Sequence, residues 1–486
     1  MEAIKTFIDL FGSTIIVPVV VFVLCLCLKV RVKQAFQGAL FMGIGLAAFN
    51  IILGGLMGTL APVVMELVKN TGINLPVIDV GWPAAAMIVF ANKLGVFYLV
   101  FGLGWNLFLF LTKWTDTFEP TDIFNYYQFL FFATLVMLVT NSFWMGVVSC
   151  MFMNLLQLFI ADILAPSIQE HYGYDGVTCT AFGCVQCAPM AVLLRWIIIK
   201  FRIREIKFDP EGLREKFGFW GEPVSMGVTI GFVLAVIAKY SHLGLVQTWA
   251  DVLKTAIVTG AIMAIYPSVS GLFVRGLIPI SQTLNKRLRS GEVKRKYFNI
   301  GIDPAVFFGE EATLTTGLVL IPIILAISIV LPGNRLLPLA DLPAMPFMVI
   351  GLVTVLRGNI LNSVIAGTLW YPIALWCNSN IAAVFTEAAK SVGVKIPAEG
   401  ALVSSFCIGS NPILWVVFKA WTAPAYTRLL GIAATIAVYL VLLVLFKKNR
   451  RAWWIAAGAS AEFVDEKLAA GSAQDKGIEA QVQVAT

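Results

Sequence analysis

The sequence predicts an all-α polytopic membrane protein, with about 11 transmembrane helices arranged as two inverted five-helix repeats with re-entrant hairpins, closed by a final helix. Three observations carry this. Only 13% of the 486 residues are Asp, Glu, Lys or Arg and 59% are apolar, against about 25% charged residues in a soluble domain; that is too little polar surface to coat a globule in water. Apolar runs recur from residue 14 to residue 446 with no hydrophilic stretch long enough for a separate domain. Finally, the chain repeats itself at an offset of about 217 to 224 residues.

The first apolar run, from Ser13 to Leu28, lacks a small-residue cleavage site and is followed by Lys29, Arg31 and Lys33. It reads as a retained span with its N-terminus outside. Further spans are expected near 36–60, 95–112, 128–146 and 147–165 or 190–201, leaving the shorter runs 77–92 and 177–189. The repeat rests on matched landmarks: the helices ending at Pro62 and Pro279, Asp79 with Asp303, Asp122 with Asp341, Asn141 with Asn359, and Pro189 with Pro412. Charge then inverts the copies. Lys and Arg crowd the turn after the first helix of copy one, whereas the matching turn of copy two, Ser241 to Gln247, has only His242; at the next turn the bias reverses, with Glu66 and Lys69 against Lys286, Arg287, Arg289, Lys294, Arg295 and Lys296. Since Lys and Arg mark the cytoplasm, equivalent turns lie on opposite sides. The expected organisation is repeat one over 1–199, a basic cytoplasmic linker over 200–222, repeat two with the final helix over 223–446, and a disordered cytoplasmic tail over 447–486. This topology is N-out and C-in.

Composition also excludes functions. The net charge of +7 comes from these turn clusters, so nucleic acid is not an expected partner. The eight Cys show no paired spacing of a disulfide framework, and Cys179, Cys184 and Cys187 lack a fourth ligand, so no metal is expected. No cofactor is expected either: a Gly-rich phosphate loop with Lys and Ser or Thr is absent, which argues against an ATP-driven pump.

Inverted repeats imply two near-equivalent conformations, with substrate held near the midplane where short interrupted segments carry polar groups. Two repeat-matched pairs qualify. The first, Leu75 to Phe90 and Ile300 to Thr316, sets Pro beside carboxylates at Asp79, Asp303, Glu310 and Glu311. A carboxylate at bilayer depth costs about 2.5–3.5 kcal/mol, so each must have a use there. Asp79 and Asp303 either cap a short helix or meet ligand, and one of Glu310 and Glu311 meets ligand or pairs with Arg357 or Lys419. The second pair, Gly176 to Pro189 and Glu399 to Pro412, supplies Thr178, Thr180, Gln186, Ser404, Ser405, Ser410 and Asn411, uncharged donors and acceptors suited to sugar or polyol hydroxyls. Asn141 and Asn359 are either interhelical anchors or substrate contacts, and Trp82, Trp370 and Trp415 read as packing or interfacial residues, with Trp82 also a candidate substrate contact beside Asp79. Glu310 and Glu311 are the candidate proton acceptors of any chemistry. An ion-coupled secondary transporter using the same carboxylates is the alternative reading.

At four segments, Asn74 to Pro83 (NLPVIDVGWP), Lys216 to Val224 (KFGFWGEPV), Ile300 to Ala305 (IGIDPA) and Leu331 to Pro338 (LPGNRLLP), the chain resembles the galactitol permease family, the membrane IIC component of the bacterial phosphotransferase system (PTS). The resemblance covers about residues 10 to 446. It implies an ascorbate/galactitol-superfamily fold, a homodimer, an elevator-like movement, and uptake coupled to phosphorylation by a separate EIIB phosphocysteine charged by EIIA; the chain itself is not the phosphoryl carrier. Where that family has Pro-His-Gly-Thr and Gly-His-Thr stretches, this chain has Thr180 to Gly183 and Gly309 to Glu311. The resemblance thus carries the transporter class and not the particular polyol.

Overall fold

The structure, a computed structural model, describes residues 29–71, 75–90, 92–119, 123–203, 206, 208–289, 297–392, 396 and 401–470, with isolated positions between 15 and 26. Most of the first expected span, Asp122, Arg204, Lys207, the basic cluster 294–296, Glu399 and residues 471–486 lie outside the described residues.

In the first half the elements are α1 (Val32–Thr71), β1 (Val77–Asp79), α2 (Gly81–Phe90), α3 (Lys93–Leu111), β2 (Thr117–Phe118), α4 (Ile123–Thr140), α5 (Phe143–Tyr172), β3 (Val177–Cys179), α6 (Phe182–Val185) and α7 (Ala188–Lys200). After α8 (Pro210–Phe217) come α9 (Pro223–Ala238), α10 (Val246–Arg289), β4 (Asn299–Ile302), α11 (Glu311–Val330), β5 (Leu336–Leu337), α12 (Met345–Met348), α13 (Ile350–Val355), α14 (Ile360–Ser391), β6 (Leu402–Ser404), α15 (Phe406–Gly409), α16 (Pro412–Trp421), α17 (Ala425–Lys448) and α18 (Arg450–Ala456). The chain is mostly helical because hydrocarbon offers no partner to a backbone amide, so each span must pair its own. Among the described residues, six helices are long and apolar enough to cross a bilayer, including Phe143–Tyr172, Glu311–Val330, Ile360–Ser391 and Ala425–Lys448.

Several boundaries differ from the sequence reading. The expected junction at 146/147 lies instead at 140–142, where Asn141 takes a left-handed φ of 49° and Ser142 caps α5 by accepting from Met145 N. The segment 77–92 is a strand and then a ten-residue helix. The matching segment 300–316 begins in β4, passes through the 3-10 turn Pro304–Val306 and enters α11 at Glu311, with no separate short helix between.

Two long helices, α1 and α10, pack along each other and against α9. At 40 and 44 residues and about 1.5 Å per residue, each exceeds the roughly 30 Å hydrocarbon core. Small residues permit the close approach: a Cβ on Gly260 would sit 2.4 Å from Val228 Cγ2, and one on Gly276 2.9 Å from the Gly38 carbonyl.

The remaining helices surround two three-stranded parallel sheets, ordered β5-β1-β6 and β2-β4-β3. Val77 pairs with both Leu336 and Leu402, and Ile300 with both Phe118 and Val177. In each sheet the central strand comes from one half of the chain and both edge strands from the other. These short strands give the interrupted backbone the partners that it would otherwise lack.

The tail also departs from expectation. Residues 450–456 and 461–470 are helical, and Trp454, Ala457, Ala459 and Val464 are buried. Trp454 Nε1 donates to the Asp162 carbonyl (3.1 Å), Ser167 Oγ to Ala457 O (2.8 Å), and Arg357 to the Gly458 and Ala459 carbonyls. The Ala, Gln and Glu content hid an apolar stripe that docks on α5. Arg451 closes the segment on Asp465 (2.6 Å) and holds that exposed carboxyl below its usual range. Such a group stabilises above its ordinary pKa of about 4, and the contribution is lost as pH falls through the lower folded value. A fluorophore at position 466 should therefore report a tail helix docked at neutral pH and loosened only in the acid limb; release beginning near pH 6 would contradict this assignment.

Candidate functional site

The ends of the first sheet gather two carboxylates. Asp79, the last residue of β1, accepts through Oδ1 from Gly81 N and Phe406 N (both 3.2 Å) and through Oδ2 from Ala340 N (3.0 Å) and Asp341 N (2.9 Å). Asp341 accepts from Trp82 N (2.7 Å), Ser405 Oγ (2.5 Å) and Cys407 N (2.9 Å). Three parallel strands ending together aim their following amides at one point, and a carboxylate there satisfies donors that no helix or strand continues to pair. Asp79 is thus a cap, as one sequence reading has it, and it also ties two halves of the chain. Trp82 packs its ring 6.4 Å from that of Tyr127. On the second sheet Asp303 holds the matching place and accepts from Ala305 N (2.7 Å).

The segments 177–188 and 402–412 meet at their tips. Gln186, fully buried, donates from Nε2 to the Ser410 carbonyl (2.7 Å). Asn378 Nδ2 donates to Ser410 Oγ (3.0 Å) and to the Ser405 carbonyl (2.8 Å), and Asn411 Oδ1 caps α16 by accepting from Leu414 N (3.0 Å). After these bonds Gln186 Oε1 and Asn411 Nδ2 have no partner. Leaving such an atom buried and unpaired costs about 1–3 kcal/mol, and the tips hold one acceptor and one donor of this kind.

A third cluster escaped the sequence reading. Glu119, fully buried just past β2, accepts from Asn154 Nδ2 (3.1 Å) and Gln157 Nε2 (2.5 Å), and the other ends of those carboxamides, Asn154 Oδ1 and Gln157 Oε1, have no partner. The signal was available: Asn154 and Gln157 stand three apart in an apolar helix and so share one face. Asp162, five residues further along α5, is bound by Thr115 Oγ1 (2.8 Å), Thr117 Oγ1 (2.7 Å) and Asp116 N (3.0 Å).

The other expected residues are placed elsewhere. Glu310 caps α11, accepting from Ala312 N (2.9 Å), Thr313 N (2.8 Å) and Thr313 Oγ1 (2.7 Å), with His171 Nε2 at 3.5 Å. Glu311 points another way and takes a two-pronged bond from Arg214 of α8, both contacts 2.7 Å. Its ion-pair partner is thus neither of those expected: Arg357 binds the tail, and Lys419 lies over the Trp415 ring at 5.7 Å. Asn141 is exposed in its turn, and Asn359 caps α14 while Nδ2 donates to the Ile206 carbonyl (2.9 Å). Both stand at helix breaks and not inside apolar spans, because the neighbouring left-handed Asn141 and Gly358 end the preceding helices.

Comparison with known proteins agrees with this architecture. Residues 6–400 match the family model EIIC-GAT, described as the PTS system sugar-specific permease component. The chain is 28% identical over 422 residues to the PTS system galactitol-specific EIIC component of Escherichia coli K12, covering 87% of this chain and 91% of that protein, and matches the Escherichia coli O157:H7 protein equally. A putative permease IIC component of Escherichia coli K12 is 29% identical over 441 residues, covering 90% of this chain and 97% of the relative. With multiple apolar spans, interrupted segments paired into small sheets and a family match over most of its length, the chain belongs to the EIIC-GAT family of sugar-specific PTS permease components.

Proposed function

We propose that the chain translocates a galactitol-like polyol or sugar held between the tips 177–188 and 402–412, and hands it to a separate EIIB phosphocysteine that EIIA recharges. The observation that carries this reading is the buried pair of unpartnered atoms, Gln186 Oε1 and Asn411 Nδ2. A hydroxyl both donates and accepts, so a polyol chain satisfies both tips without any charge. Ser410 positions the pair, and Asp79, Asp303 and Trp82 shape the backbone around it. We assign Glu119, with Asn154 and Gln157, to the same polar lining. The exchange of central and edge strands between the two sheets supports two inverted halves, each completing the other, and hence about eleven spans, N-out and C-in, working as a homodimer with elevator-like movement. Asn141 and Asn359 then act at the helix breaks on which the halves turn.

In the chemical step the substrate hydroxyl oxygen attacks phosphorus; an O–P bond forms, the S–P bond of phosphocysteine breaks, and the EIIB thiolate leaves. The hydroxyl proton passes to a carboxylate, for which Glu310 and Glu311 are the candidates. Glu310 supports this role through its contact with His171, and Glu311 through its half-exposed place beside the basic linker. Reconstituted protein with EIIA, EIIB and a phosphoryl donor, offered hexitols and pentitols, tests the reading. Phosphorylation of at least one polyol is expected, with Glu310→Gln lowering the rate about 10²- to 10⁴-fold, the usual worth of a positioned acid or base. Accumulation on an ion gradient without a phosphoryl donor would overturn the coupling, and wild-type rates in both Gln variants would remove the carboxylates from the chemistry.

A further inference from the structure

The long helices enclose a second site, distinct in its residues from the junctions above. A cavity of about 340 Å³ opens where the turn 239–245 joins α9 to α10, and its walls include Gly58, Pro62, Glu66, Lys239, Asp251 and Lys254. Its charges are arranged in two poles. Lys239 Nζ lies 2.7 Å from Glu66 Oε2 and 3.3 Å from Asp251 Oδ2, so one ammonium is shared by two carboxylates and this pole stays net negative. Lys254, three residues along α10 from Asp251, supplies a positive pole on the same wall. Pro62 has no N–H, so the Gly58 carbonyl loses its helical donor on the cavity side, and a Cβ on Gly58 would meet nothing within 4 Å.

The surroundings place this cavity at a membrane surface. Tyr240 and Trp249 are exposed beside it, as aromatic side chains are at the boundary between headgroups and hydrocarbon. Along α1 and α10, Ile51, Leu253 and Ile257 present apolar side chains outward, Ile51 at 76% exposure. A ligand with a positive end, a negative end and a hydrocarbon body fits all three features.

We propose that this cavity binds the headgroup of a zwitterionic phospholipid bearing a primary ammonium. The ammonium donates to the Glu66 and Asp251 carboxylates and the Gly58 carbonyl, the phosphate sits against Lys254, and the acyl chains lie along the outward apolar face of α1 and α10. A quaternary ammonium has no N–H to donate, so a choline headgroup forfeits the bonds that an ethanolamine headgroup makes.

The test uses full-length protein in detergent, titrated with phosphatidylethanolamine, phosphatidylcholine or phosphatidylglycerol of matched chains, with bound lipid counted by native mass spectrometry. Phosphatidylethanolamine should be retained at least about tenfold more tightly than either other lipid. Gly58→Leu, which fills the open space where the ammonium sits, should abolish that preference, whereas Lys254→Glu, which reverses the phosphate contact common to all three lipids, should weaken the retention of each; both should leave the unfolding temperature in lipid-free detergent unchanged. Equal retention of ethanolamine and choline lipids, preference for the anionic lipid, a preference that survives Gly58→Leu, or retention unchanged by Lys254→Glu would overturn the assignment. Free phosphoethanolamine binding as tightly as the lipid would overturn the membrane source and make the site one for a soluble phosphoamine.

Discussion

Gln186→Leu and Asn411→Leu are each expected to reduce polyol phosphorylation by the reconstituted system about 100-fold or more, with little loss of folded protein. Leu keeps the side-chain volume but removes the polar atom aimed at the substrate. In a closed, dry site a hydroxyl that loses its partner is left buried and unpaired, at about 1–3 kcal/mol each, and sites built to bond a hydroxyl discriminate by several powers of ten when one side of the bond is missing. The fold should survive because each side chain gives up a single hydrogen bond, Gln186 Nε2 to the Ser410 carbonyl across the tips and Asn411 Oδ1 from Leu414 N at the start of α16. Gln186→Glu separates the roles: it keeps the acceptor, loses the donor to Ser410, and should retain more activity than Gln186→Leu. Wild-type rates in both Leu variants would place the substrate elsewhere.

Asp341→Ala should produce the largest loss of stability of any single substitution considered, about 5 kcal/mol, read as the shift in detergent unfolding against the exposed control Asp465→Ala. Three donors converge on Asp341: Trp82 N, Cys407 N and Ser405 Oγ. Removing their acceptor orphans all three in a fully buried place at about 1–3 kcal/mol each, a loss comparable to the whole stability of many domains, which is about 5–15 kcal/mol. Asp341→Asn keeps one oxygen and turns an NH2 toward donors, so it should fall between wild type and Ala. The two halves of the chain are tied here, since Trp82 lies in one and Ser405 and Cys407 in the other. Loss of this tie should therefore abolish transport as well as stability. An Ala variant that unfolds like wild type would show that the carboxylate's bonds are replaced by water.

Much of this architecture was legible in residue patterns. Sparse charge and repeated apolar runs dictate a membrane protein, since a chain so poor in polar surface has no other solvent. Pro beside Asp at 79 and 303, and Pro closing 177–189 and 402–412, marked the interrupted segments, because a residue without an N–H removes a bond from a ladder or a helix and favours a break there. The same logic singled out Gln186, Ser410 and Asn411, which the folded chain brings to the meeting tips. What hid Glu119 was its position: it sits in a connecting loop, where a carboxylate is ordinary until the loop is seen folded under α5. The tail was misread because composition averages over a stripe, and Trp454 and Val464 dock through their spacing.

Residue order fixed the solvent, the helical backbone, the places where that backbone breaks and the uncharged chemistry of the tips, because each of these is a local property of neighbouring side chains. Which breaks pair with which was settled only in the folded chain: β1 lies between β5 and β6 and β4 between β2 and β3, Asp341 joins Asp79, and Glu310 and Glu311 part toward His171 and Arg214. Each of those is a contact between segments far apart in the chain, set by how apolar faces close on one another, which no local pattern of neighbouring residues spells out.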